Sequence, residues 1–507
     1  MKFGLSLLVF SLVVLPSSYA NNRVGIAASN VTNYLKKPTG QYEVGFKDFY
    51  WVNQDLCPDF NFNGKNQDDF SPSNIKHCHE IVSRIYYPTE DKAKVFSPYY
   101  QSSITLLRQA ILGQRPHPLK NQMDQVAQLK SFSIKNAAII NHRQFPVAIF
   151  ISGLGQPAES QENFITNLVS HGYVVIGMNT PFINVVTLEN GHEVPAPASM
   201  TYSKNENKWI TLQSDDLAYV YHKIHKLHGA NDLFSSMNIN HIGVYGVSLG
   251  GRVLANTVHR HPNWFQAAVA LDTAADSTGA SFKSFAIPYM HEISPRRRLF
   301  IDETGLTQFT LGKNGYLVGM AKSEKNLDDL SYSYHQSFDD LSTLQYLPIV
   351  QAIFSDHQKQ IKEKKLYVKL LSHDLSPEEI KTIDKPTYVF VKKAGRWSGA
   401  LFDQHARIVG INVYMTKDLI KAMENLPNQL PEQLTDAEIG PIKKIVRSID
   451  NLWEGVATGD GWKITEHINV YLEQFFDMYL KGEPNPKLEK CIPLTNNSFI
   501  DCGPGVF

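Results

Sequence analysis

The sequence predicts an α/β fold built on a mostly parallel central sheet, and three observations predict it. Continuous apolar runs, as in strands buried on both faces, alternate with stretches of helical periodicity. Several of these runs end in clusters of Gly, Ser or Asp, at the carboxyl ends of strands, where such sheets place their ligands. One run, His241-Ile242-Gly243-Val244-Tyr245, passes straight into Gly246-Val247-Ser248-Leu249-Gly250 and then into a helical stretch over 251–258.

The chain has 507 residues, enough to bury a large core. It is 43% apolar and 19% charged, with a formal net charge of zero. That balance gives no electrostatic reason to expect nucleic acid or an anionic membrane as partner. Attraction of a substrate is expected to be local and apolar.

Residues 1–20 read as an export signal. Lys2 supplies a basic start, residues 5–15 are apolar, and Ser18-Tyr19-Ala20 offers a small-x-small cleavage site. The mature chain would begin near Asn21 and be periplasmic or secreted; an uncleaved anchor is the alternative. The four cysteines fit export. Cys57 and Cys78 flank one loop and Cys491 and Cys502 another. Four cysteines allow three pairings; local pairing is the expectation, each bridge contributing about 2–3 kcal/mol. Zinc is the rival reading, helped by His77 and His79 beside Cys78, but no Cys-x-x-Cys spacing supports it.

The elements follow in order. Residues 80–87 alternate and meet Pro88, as an early strand does. Residues 100–113 and 121–130 read as polar helices. Pro146 to Ile151 is a buried strand running into Ser152-Gly153-Leu154-Gly155. A helix is expected over 159–170, with Phe164, Ile165, Leu168 and Val169 on one face and His171-Gly172 as its stop. Residues 173–178 form another buried strand, 214–227 a helix, 267–271 a strand ending at Asp272, and 287–293 and 316–320 further strands. Residues 350–460 are richer in charge and read as an insertion or cap of mixed helices and short strands. Within it, Ser376-Pro377-Glu378-Glu379 and residues 435–438 are capping boxes, and 387–391 is a strand. A final helix over 465–480, with Ile468, Leu472, Phe475, Phe476 and Tyr479 inward, is expected to pack back on the sheet. The domain reading is therefore a signal over 1–20, the core with an N-terminal extension over 21–349, the insertion over 350–460, and a terminal helix with a cysteine-bearing tail over 461–507.

The Gly246–Gly250 turn is G-x-S-x-G between strand and helix. Its glycines permit a sharp turn that lifts the serine hydroxyl off the sheet, and the helix N-terminus behind it favours a developing oxyanion. A serine hydroxyl needs a histidine to take its proton and a carboxylate to orient that histidine. α/β-Hydrolases place these in the order Ser, Asp or Glu, His. For the acid, Asp272 sits at a strand end; Asp276, Glu292 and Asp302 compete, and an N-cap aspartate is the plain alternative. For the base, His335 lies in a loop after the 316–320 strand; His291, His373 and His405 are its rivals. The oxyanion donors would be the Leu249 N–H, directly after the nucleophile, and the Leu154 N–H in the glycine loop. Phe182, Ile183, Val185 and Val186 form a candidate apolar lip or, equally, core. No metal or other cofactor is expected.

Together Ile151-Ser152-Gly153-Leu154-Gly155, Gly246-Val247-Ser248-Leu249-Gly250-Gly251, Ala270-Leu271-Asp272 and His335-Gln336-Ser337-Phe338-Asp339 resemble the platelet-activating factor acetylhydrolase family of α/β-hydrolases (type II, lipoprotein-associated phospholipase-like). Ile85-Tyr86-Tyr87-Pro88 is similar to a Tyr-Tyr-Pro strand end of the same family. The resemblance spans residues 80–345 and the last helix. It implies Ser248 as nucleophile, Asp272 as orienting acid, His335 as general base, a lipid ester substrate and transient contact with a membrane surface, without calcium. Ser152 stands where the family commonly has histidine, and residues 350–460 have no counterpart. The other readings are a short-chain carboxylesterase or polyester hydrolase, a peptidase, and a catalytically dead binding protein of the same fold.

Overall fold

The computed structural model describes residues 34–53, 79–92, 96–100, 102, 128–181, 183–191, 193–194, 202–273, 287–293, 315–319, 338–344, 346–347, 367–373, 375–385, 387–393, 396–402, 408–412, 461–484, 492–493 and 500–504. The strands are β1 (Glu43–Asn53), β2 (His79–Thr89), β3 (Ser133–Lys135), β4 (Phe145–Ile151), β5 (Val174–Asn179), β6 (Val186–Thr187), β7 (Glu193–Val194), β8 (Met237–Val247), β9 (Ala267–Leu271), β10 (Tyr289–Ile293), β11 (Gly315–Gly319), β12 (Tyr367–Leu371), β13 (Thr387–Lys393), β14 (Arg396–Phe402), β15 (Ile408–Asn412), β16 (Ile492–Pro493) and β17 (Ile500–Pro504). Among the described residues the long helices are α1 (Glu162–Ser170), α2 (Tyr202–Leu227), α3 (Leu249–Arg260) and α4 (Gly461–Phe476).

One 11-stranded sheet runs β16-β17-β11-β10-β9-β8-β4-β5-β2-β1-β3. Counted in chain order, the eight strands from β1 to β11 in this sheet, β3 aside, lie 1-2-4-3-5-6-7-8. β2 is antiparallel to β1 and β5, whereas β5, β4, β8, β9, β10 and β11 all run parallel. The parallel strands are buried on both faces because helices cover both. Val147, Ile149 and Ile151 of β4 face a core shared with Leu217 and Val220 of α2 and Val253 and Leu254 of α3. Ala148 and Phe150 face the other way, towards Phe164 and Leu168 of α1 and Ile468, Leu472 and Phe476 of α4. The period of two along β4 thus separates two apolar layers around one sheet.

The expected strands and helices fall close to their observed bounds, with informative differences. Pro88 lies inside β2. The 159–170 helix divides into a 3-10 turn, Ala158–Gln161, and α1. α2 begins at Tyr202, earlier than its periodicity indicates. The last helix starts at Gly461 and closes in a π turn, Asp477–Lys481, with Tyr479 only partly buried. Of the two readings left open for this segment the core one holds for Ile183, Val185 and Val186, which are fully buried; Phe182 lies outside the described residues. β1, β16 and β17 are strands the sequence reading did not identify.

Within 350–460, β12, β13, β14 and β15 form a separate four-stranded sheet. Ser376 closes its capping box on Glu379, with Pro377 at the first helical position. Ile380, Ile383, Val389 and Phe402 join the α2–α3 core. The capping box at 435–438, most of the helices expected in 100–130, the signal segment, and Cys57, Cys78 and Cys491 lie outside the described residues, as does the side chain of Cys502. Among the described residues, no helix is long and apolar enough to cross a membrane.

Candidate active site

The turn from β8 to α3 puts Ser248 at φ 55°, ψ −118°, a left-handed conformation that costs a non-glycine residue about 1–3 kcal/mol. Its neighbours make the turn sterically feasible. A Cβ on Gly246 would lie 2.6 Å from the Gly250 carbonyl carbon, and one on Gly250 would lie 2.0 Å from the Ile151 oxygen. Only glycine lets the turn approach β4 so closely. Ser248 is the residue before α3, so the Leu249 N–H belongs to the first turn, whose donors have no acceptor within the helix.

Gly153 follows β4 and passes over the same serine. A Cβ there would be 3.3 Å from Ser248 Cβ and 3.5 Å from the Val247 oxygen. Gly155, at φ 79°, donates to the Ile183 oxygen at 2.8 Å, which anchors the loop on the segment after β5. Leu154, between the two glycines, is 8% exposed, and its N–H makes no backbone hydrogen bond among the described residues. The structure thus brings Gly153-Leu154 and Ser248-Leu249 together.

Asp272 directly follows β9, fully buried, at φ 41°. Its N–H donates to the Glu292 oxygen at 2.8 Å. Among the described residues only Asn136, Ser248 and Asp272 are non-glycine residues at positive φ. Two of the three are the expected nucleophile and acid, and backbone strain of this kind collects at functional sites.

The rivals separate. Glu292, inside β10, is fully buried, and burial lifts its carboxyl to about 8, so it is mostly protonated near neutrality. A neutral carboxyl is a weak orienter of an imidazolium. His291 is 1% exposed within β10, not in a loop. His373 is exposed and pairs with Glu379 at 3.0 Å. Asp276, Asp302, His405 and His335 itself lie outside the described residues.

The segment that His335 leads into is described, and it docks beside the glycine loop. Gln161 Nε2 donates to the Phe338 oxygen at 2.7 Å and Gln156 Nε2 to Asp339 Oδ2 at 2.8 Å. Asp340 receives the Glu162 and Asn163 N–H groups, both at 2.9 Å, and the Tyr99 hydroxyl at 2.8 Å. Asp340 therefore caps α1 from a distant part of the chain; burial pushes its carboxyl well above the ordinary value, while these three donors favour the ionised form. The sequence reading missed Gln156, Asp340 and Asn184; Asp339 was quoted only as part of a motif. One local signal existed, the polar Gln156 directly after a glycine loop.

The strand order and the strained serine turn at the end of β8 define an α/β-hydrolase fold. No family model matches the chain, and no curated protein is significantly similar to it in sequence. Among solved structures it is similar to the ferulic acid esterase from Streptomyces cinnamoneus, with a TM-score of 0.52 and 15% identity over 91% of this chain and 96% of that one. At that identity the likeness is one of fold.

Proposed function

We propose that the chain is a serine carboxylic ester hydrolase. The observation that carries this reading is Ser248 at φ 55° before α3, facing the Gly153-Leu154 turn. Ser248 Oγ attacks the ester carbonyl carbon while His335 takes its proton. Asp272 orients the imidazole and balances its charge. The Leu154 and Leu249 N–H groups stabilise the tetrahedral oxyanion. His335 then protonates the departing alkoxide, leaving an acyl-serine. Water, deprotonated by His335, attacks the acyl group; the Ser248 Oγ–acyl bond breaks, His335 returns the proton to Ser248 Oγ, and the acid is released. Docking of Phe338 on Gln161, in the turn that follows the glycine loop, supports His335 in this role, since three peptide units reach no more than about 11 Å.

The finer reading is a lipid ester substrate of the kind cleaved by platelet-activating factor acetylhydrolases, acted on after export. It rests on the sequence resemblance. The coarser reading, a carboxylesterase of soluble esters, draws on the esterase named among the structural neighbours and on the burial of Ile183, Val185 and Val186, which removes one apolar lip.

The test is hydrolysis of p-nitrophenyl esters from acetate to palmitate, and of an acetylated phospholipid, by wild type, Ser248→Ala and Asp272→Asn. Ser248→Ala is expected to lose about 10⁶-fold in kcat and Asp272→Asn about 10⁴-fold. Undiminished activity of Ser248→Ala, or failure of a fluorophosphonate to label Ser248 in the folded protein, overturns the proposal. The chain-length profile decides between lipid and soluble esters.

A further inference from the structure

The Gly153 carbonyl and the Leu154 N–H belong to one peptide unit. Such a unit is planar and trans here, so its N–H points opposite to its C=O. Whatever holds the Gly153 oxygen therefore aims the Leu154 N–H. Two donors hold it: the Gln156 N–H, within the same turn, at 3.2 Å, and Asn184 Nδ2, from outside the turn, at 3.0 Å.

Asn184 is built for that purpose. It is fully buried, and its backbone bridges to Gly155. Its Oδ1 accepts from the Thr180 N–H at 2.8 Å and from Gln213 Nε2 at 3.3 Å. A backbone donor on one side and a backbone acceptor on the other fix which way the amide faces. Behind it, Thr180 Oγ1 donates to Asp216 Oδ2 at 2.7 Å, and His79 Nε2 meets the two Asp216 oxygens at 2.8 and 2.9 Å. His79, Thr180, Gln213 and Asp216 are all buried. In this low-dielectric interior the hydrogen bonds on both ends of the Asn184 amide limit the slack passed to the carbonyl at its end.

We propose that Asn184 is a positioning residue for the oxyanion hole: by gripping the Gly153 carbonyl, it turns the Leu154 N–H towards the space over Ser248. The inference rests on Ser248 as nucleophile and Leu154 as donor. An aimed donor matters most when the negative charge has formed, so its loss lowers kcat and leaves KM nearly unchanged.

Asn184→Asp tests this. The variant is nearly isosteric, but it sets an oxygen against the Gly153 carbonyl where the wild type has an N–H. The expected result is a kcat lower by about 10²-fold, a KM within about threefold of wild type, and affinity for a trifluoromethyl ketone reduced by the same factor as kcat/KM. The fraction of Ser248 titrated by fluorophosphonate should stay near one. An unchanged kcat, or a loss matched by a smaller titratable fraction, overturns the inference in favour of a purely structural role. Should Asn184→Asp not fold, Gln213→Leu decides: it removes one hydrogen bond to Asn184 and should lower kcat several-fold with an unchanged melting temperature. Unchanged kcat in that variant overturns the inference. If Ser248→Ala retains activity, the nucleophile assignment itself fails and this inference falls with it; loss in Ser248→Ala with a wild-type Asn184→Asp sinks the inference alone.

Discussion

The Ser248 N–H donates to the Leu271 oxygen at 3.0 Å, tying the strained serine to the last residue of the strand that delivers Asp272. The Thr273 hydroxyl closes the same clasp on the Ser248 oxygen, and a Cβ on Gly251 would lie 2.7 Å from Thr273 Cβ. The end of β9 and the β8–α3 turn are therefore one packed unit, with a non-glycine residue at positive φ on each side of the joint. Neither strained residue can relax without opening the other.

That strain has a measurable consequence. At φ 55° a glycine is comfortable and an alanine is not. Ser248→Gly and Ser248→Ala both remove the hydroxyl, so their difference isolates the backbone. Relief of about 1–3 kcal/mol of strain, less the entropy glycine adds to the unfolded chain, leaves Ser248→Gly more stable than Ser248→Ala by about 1 kcal/mol. Calorimetric melting of the two variants checks it; an equal or lower melting temperature for the glycine variant contradicts the strain.

Two glycines of the site should separate fold from activity. A Cβ on Gly250 meets backbone, the Ile151 oxygen at 2.0 Å, so Gly250→Ala must part α3 from β4. A cost at or above the upper end of about 1–3 kcal/mol is expected. A Cβ on Gly153 meets the far end of Gln156 at 2.9 Å and Ser248 Cβ at 3.3 Å. Gly153→Ala should melt near wild type yet lose at least about tenfold in kcat, because displacements well under 1 Å at the reacting centre are costly. A Gly153→Ala enzyme with full kcat would show that the turn is not part of the site.

The contrast between those glycines marks what was legible in the sequence. The Ser248 turn and the strand end at Asp272 are local, since their signals lie within a few residues of one another. β4, β5, β8 and β9 were legible because burial on both faces writes a continuous apolar run. β1 was not, because Lys47 and Asp48 interrupt it; Asp48 is satisfied by Arg84 of β2 at 2.6 Å, a partner no local window contains. The apolar segment after β5 stayed open between lip and core because its period does not distinguish core from surface. Asn184 and Asp340 were invisible for the same reason as Asp48. Asp340 caps α1 across 178 residues, and its neighbours in sequence carry no sign of that.

Asp340 joins the α1 N-terminus to the segment that follows His335, so its replacement should act on both stability and catalysis. Asp340→Asn keeps the shape but weakens acceptance of the two N–H groups and the Tyr99 hydroxyl. A loss of about 1–2 kcal/mol is expected. A fall in kcat should accompany it, and the fluorophosphonate labelling rate of Ser248 should drop with it. Lower stability with unchanged kcat and labelling would mean that the segment is held by other contacts and that Asp340 serves α1 alone.

Glu292 gives one part of the pH dependence of the fold, beside Glu159, Glu162 and Asp340, whose carboxyls burial also raises. It sits on β10 beside the backbone of Asp272 and faces α4, where His467 Nε2 is 3.6 Å from Oε1, too far for a hydrogen bond. Neither carboxyl oxygen is hydrogen-bonded among the described residues, and burial raises the group from its ordinary value to about 8. The folded protein therefore keeps this proton in the window from about 4.5 to 8, where the unfolded chain has released it. Stability is greatest below that window and falls as pH rises through it. Glu159, raised to about 7 by burial in spite of Arg84, adds to the slope only in the lower part. Tyr471 on α4 feels the same carboxyl: its hydroxyl is raised by burial and by Glu292. Glu292→Gln preserves shape and removes the titration. Relative to wild type the variant should gain up to a few kcal/mol between pH 5 and pH 8.5, most of it inside the window and little above pH 8, with Glu159 common to both proteins. Urea unfolding of both proteins at pH 5, 7 and 8.5 measures this directly, and parallel stability profiles would show that Glu292 enters the folded state already ionised.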